Sequence, residues 1–225
     1  MKSKFSEEAD PDSAVLGRRE FLSRMFWAAP AVMAGTSLPT LAQASAPIPA
    51  DLSFLRGEVD LRIRSDWTSE APRLQRLNTA SAFTKLTVHH QGTGVNESLH
   101  CDEVVADIHN VLDGHFQRRF GDIGYHMVID RAGRVWEGRE LKFIGAHVAE
   151  CNEGNIGVML LGNFERQKPS DKQLISLRSV IEATRDQFAI PAQQVFGHRD
   201  LGQTLCPGRH LLNYVHLIQG ATHQA

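Results

Sequence analysis

Cysteine is scarce and scattered: the 225 residues contain three, Cys101, Cys151 and Cys206. That usage excludes a dense disulfide framework, and no CxxC or HxxxH pair offers a ready structural metal site. Charge of one sign is lacking as well. A formal net charge of −2 and a pI near 6.6 leave no basic footprint, so nucleic acid is not an expected partner. No internal repeat and no long low-complexity tract occurs. A long apolar run is also missing. The stretch from Phe21 to about Leu41 is interrupted by Arg24 and two prolines, so no permanent membrane span is expected.

What remains is ordinary globular composition, 42% hydrophobic and 22% charged, enough for one domain with a core. The N-terminus is different in kind. Arg18-Arg19, then Phe21-Leu22, an Ala-rich apolar run and Ala44-Ser45-Ala46 resemble a twin-arginine export signal with a small-x-small cleavage site. The expectation is a signal over residues 1–46, a mature chain from near Pro47, a linker over 47–60 and one domain over 61–225, in the periplasm or secreted. Export of an already folded protein would suit loading a metal before crossing. If Cys206 ligates metal, Cys101 and Cys151 are left to pair in an oxidising compartment or to remain thiols; both readings stay open.

The patterning predicts an α/β fold, a mixed central sheet of about five strands flanked by helices. Leu61–Arg64 is a short strand or extended arm. Phe83–His89 is β-branched, apolar-rich and bounded by Ser81, Gly92 and Gly94. Asp122–Asp130 and Val135–Glu137 flank a turn and form a hairpin, Asn155–Gly162 is a buried strand, and Val195-Phe196 is a last short one. Helices are predicted over Asn96 to about Leu112, with a basic turn over Gly114–Gly121. Another runs from a Ser170–Gln173 capping box to about Phe188, and a third spans Leu211–Ile218.

Chemistry concentrates in Gly197–Gly208, GHRDLGQTLCPG, which reads as a loop. His198 and Cys206 stand eight positions apart there and offer the nitrogen and sulfur donors that Zn2+ prefers. His89 is the chosen third donor, because a strand end beside a glycine-rich loop can aim it into a cleft. A His2Cys set leaves a fourth tetrahedral position open, which distinguishes a catalytic zinc from a structural one. His90, next along the strand, points to the other face, and His126 is likewise flipped from Tyr125. His100, His109, His115 and His210 read as surface residues. Trp67 and Trp136 read as core. Asp200 is either a partner orienting a ligand histidine or a turn residue.

The segments RIRSDWTSEAP, LTVHHQGTG, DIGYHMVIDRAGRVWEGRE, GAH, NIGVMLLGN and GHRDLGQTLCPG, in that order over about residues 61–210, resemble the N-acetylmuramoyl-L-alanine amidase type 2 family, which includes peptidoglycan-recognition proteins and phage-lysozyme-type amidases. The resemblance implies a zinc-dependent amidase domain, with one Zn2+ per chain on His89, His198 and Cys206. It implies peptidoglycan or muropeptides as substrate, cut by zinc-bound water at the amide between N-acetylmuramic acid and L-alanine. It implies catalytic roles for Tyr125, as partner of that water or of substrate, and for Thr204, as an oxyanion donor weaker than the Lys of some relatives. His147 matches a groove-lining histidine. Arg139 is read either as a contact for a stem-peptide carboxylate or as a salt-bridging residue. Met159 stands where cytosolic relatives acting on anhydro-muropeptides carry Glu. A non-catalytic peptidoglycan receptor of the same fold is the alternative, but such receptors typically lose the Cys ligand. A monomer is expected.

Overall fold

The computed structural model describes residues 48–49 and 51–221. The expected export segment, 1–46, lies outside the described residues. Six strands form one sheet: β1 (Leu61–Arg62), β2 (Lys85–His90), β3 (Met127–Ile129), β4 (Val135–Glu137), β5 (Asn155–Leu160) and β6 (Val195–Gly197). Their spatial order is β1-β4-β3-β5-β2-β6; the β3–β4 hairpin is antiparallel and every other pairing is parallel. The sheet is therefore mixed, as expected, and the segment read as a short strand or extended arm supplies its edge strand β1. Among the described residues four α-helices accompany it: α1 (Cys101–Gln117), α2 (Asp171–Phe188), a short α3 (His198–Leu201) and α4 (Arg209–Ala221). No helix among the described residues is long and apolar enough to cross a membrane.

The sheet has two unlike faces. Leu86 and Val88 of β2, Ile156, Val158 and Leu160 of β5, and Met127 and Ile129 of β3 pack with Leu177, Val180 and Ile181 of α2 and Leu211 and Val215 of α4. The opposite face carries Val128, Trp136 and Met159, covered by Trp67 and by Val104, Ile108 and Leu112 of α1. Trp67 and Trp136 are core residues, as their sequence context suggests. The capping box of α2 is present as read: Ser170 accepts from the Gln173 N–H, and Gln173 returns its side-chain oxygen to the Ser170 N–H.

Several boundaries differ from the sequence reading, and contacts in the folded chain explain them. Helix α1 starts at Cys101, not Asn96, because Gln167 clamps the Asn96 backbone, bonding both its N–H and its carbonyl. It runs on through Gly114, whose helix cost of about 1 kcal/mol is too small to break it. The strand expected over Asp122–Asp130 shortens to Met127–Ile129. Its first residues bond elsewhere: Gly124 donates to His115 Nδ1 and the Tyr125 carbonyl accepts from the Arg139 N–H. The supposed linker is no spacer throughout, since Leu52 and Leu55 are buried in the core.

Candidate metal centre

Register brings the first two donors together. Val88 of β2 pairs with Gly197 of β6, so the next residues, His89 and His198, leave two parallel neighbours side by side. Their ring centroids lie 4.7 Å apart. The stretch expected to be loop begins with α3, because the Asp200 carboxylate accepts the Gly197 N–H at 2.7 Å and closes a helical turn. Asp200 also meets His216 Nε2 at 3.0 Å. The chain then turns back to Cys206. The hydroxyl of Thr204 accepts the Cys206 N–H at 3.1 Å, and the Cys206 sulfur accepts the His90 N–H at 3.3 Å. Gly208 ends the excursion at φ +87, where a Cβ would lie 2.3 Å from the Phe164 carbonyl carbon; only glycine lets the loop press against that backbone.

One donor atom from each of His89, His198 and Cys206 lies within 4.8 Å of the others. The Cys206 sulfur is 3.6 Å from His89 Nδ1. Burial, with His147 and His198 nearby, holds His89 well below the usual histidine range, and burial lowers His198 too. Both imidazoles are therefore neutral, the form that ligates. Burial pushes the Cys206 thiol up to about 12, while the His90 N–H acts in the opposite direction. A half-buried sulfur flanked by two neutral imidazoles fits a soft-to-borderline divalent ion. No fourth His, Cys, Asp or Glu joins the group among the described residues.

Tyr125 stands beside this group, its ring centroid 5.1 Å from that of His89. Burial raises its phenol above its ordinary value of 10, so it is an O–H donor at neutral pH. The ring also lines a cavity of about 510 Å³ with Gln91, Thr93, Asp107, Arg118 and Met159. Met159 is the register partner of His89 and is buried, so no carboxylate stands at that position.

Other expected residues lie differently. Arg139 is 4% exposed and its guanidinium donates to the backbone carbonyls of Ile123, Ile144 and Asp122. It is thus a buried staple, each of its three guanidinium nitrogens bonded to a backbone carbonyl; burial lowers it to about 10. His147 is buried behind His89, with Nδ1 at 3.0 Å from His89 Nε2 and Nε2 at 3.1 Å from the Asn155 carbonyl. Both its nitrogens are engaged within the protein. His90 faces the α2–α4 side, where its Nδ1 accepts the Phe164 N–H. His115 is not a surface residue: it is 3% exposed and borders the cavity. Its position follows the stripe Val104, Ile108, Leu112, His115, and the sequence reading missed it by ending α1 too early. His109 bonds the Trp67 carbonyl at 2.7 Å. All three cysteines are free thiols.

The chain belongs to the N-acetylmuramoyl-L-alanine amidase family (Amidase_2), whose model matches residues 79–209. It is similar to peptidoglycan-recognition protein SD of Drosophila simulans, at 27% identity over 159 residues, covering 70% of this chain and 84% of that protein. Among solved structures, Drosophila PGRP-LB superposes with a TM-score of 0.62 at 27% identity, covering 69% of this chain and 91% of that one. The fold is shared with the N-acetylmuramoyl-L-alanine amidase LysC from Clostridium intestinale, TM-score 0.60 at 21% identity, covering 72% and 97% of the two chains.

Proposed function

We propose that this protein is a zinc-dependent amidase that hydrolyses the amide between N-acetylmuramic acid and L-alanine in peptidoglycan or its fragments. The observation that carries the reading is the convergence of His89, His198 and Cys206 within 4.8 Å, with no fourth protein donor among the described residues. Three ligands and an open position suit catalysis, whereas a structural site is closed by four. When bound, zinc supplies Lewis acidity for the amide carbonyl and for the water that attacks it.

The chain's own groups supply the rest. Tyr125 keeps its proton because burial raises its phenol, so it donates a hydrogen bond to the reacting oxygen or to the water beside the metal site. The Thr204 oxygen already accepts from the Cys206 N–H, which leaves its own proton free to donate to the developing oxyanion. The cavity bounded by Tyr125, Asp107 and Arg118 receives the substrate. We further propose export through the Arg18-Arg19 signal, and a monomeric enzyme in the periplasm or outside the cell.

The test is mass spectrometry of products from defined muropeptides, with zinc present and after chelation. Release of stem peptide that stops on chelation and returns with zinc is expected. Full turnover by zinc-free protein would overturn the mechanism. Binding of muropeptide without turnover by the zinc-loaded protein would establish the receptor alternative, which the recognition-protein relatives keep in view. Replacing Arg18 and Arg19 by Lys should retain the protein in the cytoplasm on fractionation.

A further inference from the structure

His147 has an unusual amount of structure devoted to it. Its ring fits a slot made by two glycines. A Cβ on Gly145 would come 2.6 Å from the ring, and one on Gly157 would come 2.5 Å from it. The loop beneath is pinned by Asn152, whose side-chain oxygen accepts the N–H groups of His147 and Val148, each at 2.8 Å. Asn155, which presents the carbonyl facing the ring, is itself fixed. Thr87 donates to its side-chain oxygen at 2.9 Å, and its amide nitrogen donates to the Cys151 carbonyl at 2.8 Å. Yet the ring so held reaches neither cavity nor metal centre with a free nitrogen.

The hydrogen-bond directions follow from what each atom can do. A backbone carbonyl only accepts, so the 3.1 Å contact to Asn155 puts a proton on His147 Nε2. A neutral imidazole carries one N–H, which leaves His147 Nδ1 as an acceptor. Both rings are buried and bond only to each other, to a backbone carbonyl and to a thiol, with no carboxylate to hold a second proton, so each is a neutral imidazole. His89 Nε2, 3.0 Å from that acceptor, must then be the donor. The other nitrogen of His89, Nδ1, is left with its lone pair, and it is the one 3.6 Å from the Cys206 sulfur.

We infer that His147, backed by the Asn155 carbonyl, is a positioning residue that fixes the tautomer and ring orientation of His89 so that Nδ1 is bare and aimed at the metal position. It does so before any ion arrives. The consequence for metal affinity rests on the zinc reading of the site; the tautomer itself does not. An outer hydrogen-bond partner of a ligating histidine typically changes metal affinity or activity by about 10–100-fold.

The experiment uses the full chain, stripped of metal and labelled with ¹⁵N-histidine. Long-range proton–nitrogen correlation reads the tautomer of His89, and competition with a chelating dye reads zinc affinity. In the wild type His89 should be protonated at Nε2. His147→Phe fills the slot without an acceptor; it should let Nδ1–H appear and weaken zinc binding by about 10–100-fold. His147→Gln retains an acceptor and a donor and should recover most of that loss. Nδ1–H on His89 in the metal-free wild type overturns the inference without any variant. So does His147→Phe with unchanged tautomer and affinity, or His147→Gln as impaired as His147→Phe with its fold intact by near-ultraviolet circular dichroism. A wild type that holds Nε2–H but binds no zinc would sink the zinc reading and leave the tautomer assignment standing.

Discussion

Alternate residues of β2 enter opposite layers. Leu86 and Val88 sink into the face under α2 and α4, and their neighbours on β5 and β3 are all aliphatic or Met. Thr87 and His89 enter the face under α1, next to Gly157, Met159 and Tyr125. The first face has no polar side chain on these central strands except His90 at the very end, and that one is satisfied by the Phe164 N–H. The second face buries Thr87, His89 and His147, and each is matched with a partner. Burying polar groups is costly only when they lack partners, so the α1 face can carry chemistry without losing the fold. Helix α1 also stops short of full cover, which leaves the cavity beside Tyr125. One face holds the sheet together; the other lends it a site.

Substitutions on each face should separate these roles. The largest effect is expected from Cys206→Ser. Zinc binding and amide hydrolysis should fall by more than the ~10–100-fold that an outer partner costs, with the thermal melt of the metal-free chain nearly unmoved. Unchanged turnover would remove Cys206 from the centre. Tyr125→Phe should retain zinc, as read by metal analysis, while kcat drops by about 10²–10⁴-fold, the usual range for a lost acid–base partner. On the apolar face, Leu86→Ala should cost roughly 2–5 kcal/mol in urea unfolding while the folded protein binds zinc normally. A variant that loses zinc in proportion to stability would merge the two faces and break the comparison.

Acid should act on the polar side. Burial lowers His126 and His115 to about 4 from the ordinary 6.5. The unfolded chain therefore takes up protons first as pH falls. Stability is fully present above about 6.5 and is lost progressively towards 4, on the order of 3 kcal/mol for His126 alone. Urea midpoints measured between neutral pH and pH 4 should fall accordingly; a flat profile would contradict the burial of these rings. The smallest effect is expected at Thr204→Val, about tenfold in rate for one neutral hydrogen bond, with zinc affinity kept.

Much of this was legible in the residues. The alternation in Phe83–His89 and the Ser170–Gln173 capping box announced a central strand and a helix start. The spacing of His198 and Cys206 with their glycines announced a metal-type loop, and the structure brings His89 to it. What was not legible depended on long-range pairing. The helical stripe that buries His115 was hidden because Gly114 read as a stop. The clamp of Gln167 on Asn96, which delays α1, joins residues 71 positions apart. Arg139 read as a contact for a stem-peptide carboxylate or as a salt-bridging residue, and only the three carbonyls gathered round its guanidinium show why it is buried.

Family, mixed α/β architecture and candidate donors were all readable along the chain. Those rest on local patterns: side-chain period, caps, turn residues and the chemical type of each ligand. Which nitrogen of His89 faces the sulfur was settled only in three dimensions, because it follows from the His147–Asn155 chain of hydrogen bonds. The same holds for the helical turn that opens the motif from Gly197 to Gly208, and for the roles of His147 and Arg139 as buried supports. Proton positions and burial are set by neighbours that the linear order keeps apart, and they exist only once the strands have paired.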